Sequence, residues 1–277
     1  MIVMPAAARR RRDPDQGQRR APAALAVPAV IGLGFLLLPL LGLLIRAPWS
    51  RMASVLSEPA ALQALRLSLE TATASSALCV VFGIPVAYLL ARTDFPGQRA
   101  VRALVTLPLV LPPVVGGVAL FTAFGRTGVV GQWWYRWFGY SLPFTTAAVV
   151  VAQSFVAMPF LIIAVEGALR SADRRFDEAA ATLGASRWTT FRRVTLPLVA
   201  PGIAAGTVLC WARAMGEFGA TITFAGNLPG TTQTMPLYVY RALETSDPDS
   251  AIALSLLLVA VCVTVLLALR GRWAGLG

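Results

Sequence analysis

The chain of 277 residues contains no lysine and no histidine, so all 24 of its basic side chains are arginines. Without lysine it lacks the phosphate-binding residue of a P-loop, which excludes a nucleotide-hydrolysing site of that kind. Without histidine, His-ligated zinc sites and the Ser-His or Cys-His pairs of hydrolases are excluded as well. We therefore predict no catalytic residue and no metal site in this chain.

Cysteine is scarce, and its placement does not favour a shared site. Cys79, Cys210 and Cys262 lie far apart in the sequence, each inside an apolar run. Small buried side chains are the expected role of such residues. We predict neither a disulfide framework nor a cysteine metal centre.

Charged residues are also scarce, and their low fraction indicates the class of protein. Only 13% of the residues are charged and 57% are hydrophobic, with a mean hydropathy of +0.69. A soluble domain carries about 25% charged residues. This composition predicts a polytopic membrane protein of the all-α class.

Six apolar runs have lengths near the ~20 residues that cross a hydrocarbon core. They are residues 25–45, 67–90, 103–124, 144–166, 198–219 and 251–269. The first run is too long for the apolar part of a signal peptide, so we expect it to be retained as a span. We predict one transmembrane domain over residues 25–277, preceded by a disordered basic tail over residues 1–24.

The arginines predict the orientation of these spans. If the N-terminus is cytoplasmic, 17 arginines lie on cytoplasmic segments and six on outer segments. This excess follows the positive-inside rule, so we predict that both termini are cytoplasmic. Because the net charge of +11 is mostly a topology signal, it does not indicate a nucleic-acid partner.

One polar segment, EAAATLGASRWTTFRRVTLP at residues 178–197, interrupts the apolar pattern between the fourth and fifth spans. Gly184 is placed to end a first helix in a left-handed cap. Ser186 is placed to begin a second helix, which we expect to end at Leu196 and Pro197. The pattern predicts a cytoplasmic helix-turn-helix over about 174–195, and on pattern alone an amphipathic surface anchor explains it equally well.

The spacing within this segment resembles the EAA signature of ABC importer permeases. The matching positions are Glu178, Ala179, Ala180, Gly184, Val194, Leu196 and Pro197. In that family the short helix before the glycine sits in a cleft of the ATPase subunit. The resemblance thus implies a coupling helix, cytoplasmic ABC ATPase partners that use ATP and Mg, and no cofactor on this chain.

A second stretch indicates which branch of this family the chain resembles. Residues 216–221 (GEFGAT), 224–230 (FAGNLPG) and 232–237 (TQTMPL) are similar to the sulfate/molybdate branch of these permeases, and closest to the molybdate type. The resemblance covers about residues 50–270. It implies a type I ABC importer permease fold, a homodimer in a bacterial inner membrane, and an external oxyanion-binding protein.

The same stretch contains the candidate pathway residues. The neutral donors that suit weak, passing contact with a dianion include Thr221, Asn227, Thr231 and Thr234. Arg213 and Glu217 are four residues apart, hence on one helix face, and ionisable residues in a span usually face a protein interior or cavity. For each threonine, capping of the Asn-Leu-Pro-Gly turn is the alternative role.

Three other functions stay open from the sequence. An ABC permease for sulfate or another small solute shares most of these motifs. A secondary transporter or channel would need no ATPase, and a membrane scaffold would leave the spacing of the EAA signature unexplained.

Overall fold

The computed structural model describes residues 23–270, with side chains for residues 25–268, and the predicted tail over residues 1–24 lies outside this part except for its last two residues. The described residues are helical and contain no strand, which confirms the all-α prediction. They fall into two compact units, one ending at Arg46 and the other beginning at Ala47.

The first unit contains helix α1, Ala23–Ile45. Its side chains are apolar all round and almost all exposed, as in a helix whose surroundings are lipid. Pro28 and Pro39 lie within it. Leu25–Ile45 is long and apolar enough to cross a membrane.

The second unit contains twelve helices in its described part. They are α2 (Met52–Leu56), α3 (Pro59–Arg92), α4 (Gln98–Val110), α5 (Pro113–Phe124), α6 (Gly131–Phe138), α7 (Thr146–Ser171), α8 (Arg175–Thr182), α9 (Arg187–Thr190), α10 (Leu196–Met215), α11 (Gly219–Phe224), α12 (Met235–Glu244) and α13 (Pro248–Arg270). Helices α3, α7 and α13 and the continuous stretch Arg187–Met215 are each long and apolar enough to span a membrane.

The predicted third span, 103–124, is not one continuous helix, because the structure divides it into two helices. Helices α4 and α5 are bent by 118° with respect to each other. Pro112 and Pro113 follow each other at the break and supply no backbone N–H. Leu111, the residue before them, is extended, as the proline ring requires. The described chain therefore has five candidate spans, or six if this bent pair counts as one.

The central core lies between α3, α7 and α10. Its largest cluster of buried side chains includes Cys79, Leu90, Leu161, Val165, Leu169, Val199, Cys210 and Met215. Cys79 and Cys210 are fully buried and Cys262 is half-buried, and none forms a disulfide. Cys79 and Cys210 pack inside this cluster, as expected of small buried side chains, and the thiol of Cys79 donates to the carbonyl of Ser154 at 3.7 Å.

Small residues bring α7 and α10 close together. A Cβ added at Gly202 would lie 2.3 Å from the Cβ of Ala168, and one added at Gly206 would lie 3.0 Å from that of Ala164. Gly202 and Gly206 are four residues apart on α10, and Ala164 and Ala168 are four residues apart on α7. The two contacts therefore follow each other along one stripe where the helix backbones come close together. This is the small-residue packing typical of membrane helices.

Arginines cap the end of α3. Arg102 and Arg170 both donate to the carbonyl of Leu90 at 3.3 Å. The two guanidinium groups also share the largely buried carboxylate of Glu166, each at 2.9 Å. Positive charge at a helix C-terminus is favourable because the last carbonyls have no partner within the helix. These arginines therefore have a structural role at the end of α3.

Asp247 caps the start of α13. Its carboxylate accepts hydrogen bonds from the backbone N–H of Ser250 at 3.1 Å and from the hydroxyl of Ser250 at 2.6 Å. These two bonds hold the pKa of Asp247 below its ordinary value. Pro248 occupies the first helical position, where a missing N–H costs nothing.

Candidate functional site

Helix α8 and the turn after it form the first part of the candidate site. The N–H of Gly184 donates to the carbonyl of Ala181, and the N–H of Ala185 donates to that of Ala180, both at 3.0 Å. This pair of bonds is a Schellman motif, which requires a left-handed residue at its centre. Gly184 has φ +82° and supplies it. The predicted cap is thus present.

The outer face of this segment is open. Glu178 and Ala179 are exposed and Ala180 is half-buried, with Glu178 in the first turn of α8. Leu183 is 88% exposed and Trp188 is 68% exposed. Such large apolar side chains in a polar segment are typical of a surface that a partner covers.

The second helix begins as predicted and ends differently. The hydroxyl of Ser186 accepts the N–H of Thr189 at 3.2 Å and caps α9. The prediction that Leu196 and Pro197 end this helix is wrong, because the chain stays helical from Arg187 to Met215. A π-helical turn over Phe191–Thr195 precedes Pro197. The wider turn changes the hydrogen-bond register just before the proline, so the helix continues where a regular α-helix would be disrupted.

Val194 and Leu196 are half-buried within this continuous helix, and Pro197 is exposed in the first turn of α10. Phe191 stacks on Trp188 with ring centroids 5.7 Å apart and meets the edge of Tyr88 of α3 at 5.2 Å. The EAA segment and the end of α3 are therefore in contact through aromatic rings.

Asp177 is a site residue that the sequence argument did not identify. Its carboxylate accepts a hydrogen bond from the hydroxyl of Thr195 at 2.8 Å and lies 3.4 Å from Arg92 at the end of α3. Its position directly before Glu178, in the first turn of α8, was a signal that could have found it, because neighbouring helical residues point in different directions. The identity of its partners depends on the tertiary structure.

Arg213 and Glu217 form the second part of the candidate site. Their charged groups are 2.6 Å apart, and the side chains are 27% and 1% exposed. The other carboxylate oxygen of Glu217 accepts the N–H of Ala220 at 2.8 Å and so caps the start of α11. The predicted contact between the two side chains is present, but the prediction that both lie on one face of the fifth span is wrong, because α10 ends at Met215 and Glu217 lies beyond it. The pair lies at the break between α10 and α11.

The four neutral residues lie in different settings. Thr221 and Thr234 are fully buried, and within the described part of the chain their hydroxyls have no hydrogen-bond partner. Asn227 is half-buried and accepts a bond from Gln233 at 2.9 Å. Thr231 is exposed, and its carbonyl accepts a bond from Thr146. Arg213 and Glu217 are the only two of the six predicted residues that the described structure joins by a polar contact.

The turn around residues 226–233 uses its polar groups partly for its own structure. Gly226 and Gly230 have left-handed backbones. The hydroxyl of Thr232 accepts the N–H of Leu228 at 2.9 Å, and the carbonyl of Leu228 accepts bonds from residues 231–233. Thr232, which was not among the four predicted neutral residues, therefore caps this turn.

Helices α5 and α11, which follow the two breaks, pack tightly against each other. A Cβ added at Gly219 would lie 2.7 Å from Pro113, and one added at Gly117 would lie 2.9 Å from the carbonyl oxygen of Ala220. The two interrupted helices thus meet at their breaks. Discontinuous helices of this kind are common at substrate sites of transporters.

Comparison with known proteins places the chain in a family. Residues 80–274 match the family model described as the binding-protein-dependent transport system inner membrane component. The chain is 49% identical over 251 residues to the molybdenum transport system permease protein ModB of Mycobacterium tuberculosis, covering 91% of this chain and 94% of the relative. It is 34% identical over 238 residues to the sulfate transport system permease protein CysT of Escherichia coli, covering 85% and 86%.

Solved structures agree with this fold. A bacterial ABC transporter involved in the import of the acidic polysaccharide alginate has a TM-score of 0.69 at 23% identity, covering 91% of this chain and 94% of that one. The inward-facing MetNI methionine ABC transporter has a TM-score of 0.63 at 22% identity, covering 78% and 95%. The chain belongs to the inner-membrane components of binding-protein-dependent transport systems, which are multi-pass permease subunits of ABC importers.

Proposed function

We propose that this chain forms the membrane pathway of an importer for molybdate, and for tungstate as a chemically similar tetrahedral dianion. The observation that carries the proposal is the 49% identity, over 91% of the chain, to a permease named for molybdenum transport. The stretch from residue 216 to residue 237 supports the same cargo through its resemblance to molybdate-type permeases. An external oxyanion-binding protein delivers the cargo, and ATP and Mg are used by a separate ATPase subunit.

Two copies of the chain form the pathway along their shared axis, with both termini in the cytoplasm. The EAA segment then lies on the cytoplasmic side, and residues 219–237 lie towards the outside. Two ATPase subunits receive the exposed face around Glu178 and Leu183 in their clefts. When they close on ATP, they move these helices as rigid bodies and switch the pathway between inward-facing and outward-facing states.

Arg213 and Glu217 line or brace the outer part of this pathway. Because the two charges neutralise each other, a dianion passing beside them meets a polar but nearly neutral surface. Asn227 and Thr231, which are half-buried and exposed, contribute an amide and a hydroxyl group, whereas Thr221 and Thr234 are buried within the chain and do not reach this surface. Weak contacts of this type favour transit, since tight binding would block exit.

Sulfate is the second candidate cargo, because the chain is also 34% identical to a sulfate permease over 85% of its length. The test is uptake by proteoliposomes that contain this permease, its ATPase and the external binding protein. We expect molybdate and tungstate to compete with each other for uptake and excess sulfate to have little effect. Uptake that sulfate abolishes at equal concentration would reassign the cargo.

Coupling through the EAA segment is tested in the same proteoliposomes. We expect Glu178→Lys and Gly184→Asp to abolish ATP-driven uptake, because one reverses the exposed charge of α8 and the other strains the left-handed turn. Both variants should keep their helical circular dichroism. Asp94→Lys, a charge reversal at an exposed aspartate between α3 and α4, is the control and should retain uptake. Full uptake by both EAA variants, or uptake by the permease without any ATPase, would contradict the proposal.

A further inference from the structure

The carboxylate of Asp177 joins three parts of the fold. Its Oδ1 accepts the hydroxyl of Thr195 at 2.8 Å, and its Oδ2 lies 3.4 Å from Nη1 of Arg92. Asp177 is in the first turn of α8. Arg92 is the last residue of α3, and Thr195 is the last residue of the π-helical turn that leads into α10. One side chain thus connects the short surface helix to two of the long helices.

Both partners of Asp177 are held firmly. The side chain of Arg92 is only 8% exposed, and its Nη2 donates to the carbonyl of Ala172 at 3.4 Å. Thr195 is 2% exposed. It lies in the π-helical turn, in which the N–H of Leu196 donates to the carbonyl of Phe191. A displacement of Asp177 is therefore passed to the backbones of α3 and α10, because neither partner can rotate freely.

Few other contacts hold α8. All eight of its residues are described, and none is buried. A cavity of about 770 Å³, lined among others by Pro85, Tyr88, Ala181 and Trp188, separates α8 and α9 from the end of α3. Three contacts cross this space: the aromatic edge between Tyr88 and Phe191, the bond from Arg174 to the carbonyl of Ala91 at 3.4 Å, and the contact of Asp177 with Arg92. Among them only Asp177 also bonds to Thr195 and so reaches the helix that leads into α10. Charge-assisted hydrogen bonds are the stronger class of polar contact, which suits them to this position.

We propose that Asp177 is a positioning residue that transmits the movement of α8 to α3 and α10. This inference rests on the proposed coupling function of α8. Glu178 and Asp177 then have separate roles, although they are neighbours: Glu178 faces the ATPase, and Asp177 faces the permease. Helix α10 continues from Thr195 to Met215, two residues before Glu217, so the movement reaches the break that Arg213 and Glu217 stabilise.

The test compares Asp177→Asn, Thr195→Val and Thr195→Ser with the control Asp94→Asn, which removes an exposed charge outside the contact. Each permease is reconstituted with its ATPase and the loaded binding protein, and both ATP hydrolysis and molybdate uptake are measured. We expect Asp177→Asn and Thr195→Val to keep the ATPase bound and hydrolysing, while the ATP consumed per molybdate rises several-fold. Thr195→Ser keeps the hydroxyl and should therefore consume the same amount of ATP per molybdate as the unmodified complex.

A double variant, Asp177→Asn with Thr195→Val, separates transmission from general destabilisation. If the two side chains act through one contact, the double variant should consume as much ATP per molybdate as the worse single variant, because the effects of coupled residues do not add. An unchanged ratio in both single variants, additive effects in the double variant, or loss of the ATPase from the purified complex would each overturn the inference. The unmodified complex tests the proposed function separately: uptake without ATPase would refute that function, whatever the variants do.

Discussion

At the residue scale, the ion pair between Arg213 and Glu217 combines a structural role with a proposed pathway role. We expect Arg213→Ala to destabilise the protein by about 3–5 kcal/mol, because it leaves the buried carboxylate of Glu217 without its counter-charge. Adding Glu217→Gln removes that charge and should restore most of the lost stability. The thermal midpoint of the detergent-solubilised permease measures both effects.

Uptake by the same variants distinguishes the two roles. If the pair lines the pathway, the stable double variant should still import molybdate more slowly than the unmodified permease. Normal uptake by the double variant would show that the pair is structural alone. The spacing of four residues led to the prediction of this contact, but α10 ends at Met215, so the contact forms at the end of the helix and not along one of its faces.

The contact of Asp177 with Thr195 could not be predicted in the same way. The two residues are 18 positions apart, and a left-handed turn, a second helix start and a π-helical turn lie between them. Local periodicity does not extend across such breaks. The sequence identified Glu178 and Gly184 by their spacing, whereas the inward-facing neighbour became visible only in the folded segment.

At the element scale, the close packing of α5 on α11 makes Gly117 sensitive to the smallest substitution. A Cβ there would lie 1.6 Å from the hydroxyl of Thr223 and 2.9 Å from a backbone oxygen. We expect Gly117→Ala to lower the free energy of unfolding by about 1–3 kcal/mol, as is typical of overpacking. Thermal unfolding in detergent measures the change.

Gly167→Ala is the matched control for that substitution. Gly167 also lies within a helix, α7, but a Cβ there would meet nothing within 4 Å. Alanine should therefore be neutral or stabilise by about 0.5–1 kcal/mol, since it lowers the entropy cost of ordering the helix. Equal midpoints for the two alanine variants would contradict the tight contact between α5 and α11.

A comparison of the helices with the apolar runs shows which helices the sequence predicted. The runs near residues 25–45, 67–90, 144–166, 198–219 and 251–269 correspond to long helices, although α3 and α7 extend beyond the predicted ends. The run 103–124 does not, because two consecutive prolines outweigh its hydropathy. Helix α12 was not predicted, since its polar and apolar residues form neither a long run nor an isolated motif.

At the scale of the whole molecule, the predicted orientation can be measured directly. Asp94 and Thr231 are both exposed, and the proposed topology places them on opposite sides of the membrane. In a background with Cys79, Cys210 and Cys262 replaced by serine, we expect a membrane-impermeant maleimide to label Thr231→Cys in right-side-out vesicles. Asp94→Cys should react only after the vesicles are permeabilised.

The starting background without any cysteine is the control and should stay unlabelled in both conditions. Labelling of Asp94→Cys in intact vesicles would invert the topology and place α8 outside, away from any cytoplasmic ATPase. The same purified permease, analysed by native mass spectrometry, tests the proposed homodimer. A heterodimer would appear as a second permease chain of different mass.

The sequence by itself determined the class of this protein, most of its long apolar helices and the local structure of the EAA segment around Gly184 and Ser186. These features depend on composition, on runs of about 20 residues and on short fixed spacings, all of which are properties of the chain before it folds. Gly184 and Ser186 are examples, because a left-handed cap and an N-cap need only local neighbours.

Only the tertiary structure decided which distant residues meet. It placed Asp177 on Thr195 and Arg92, gathered Arg102 and Arg170 around Glu166, and brought the breaks at Pro113 and Gly219 together. These contacts join separate helices through side chains, so they depend on how the helices pack and not on any local repeat. The physical reason is that helix periodicity specifies a face, while close packing selects the partner of that face.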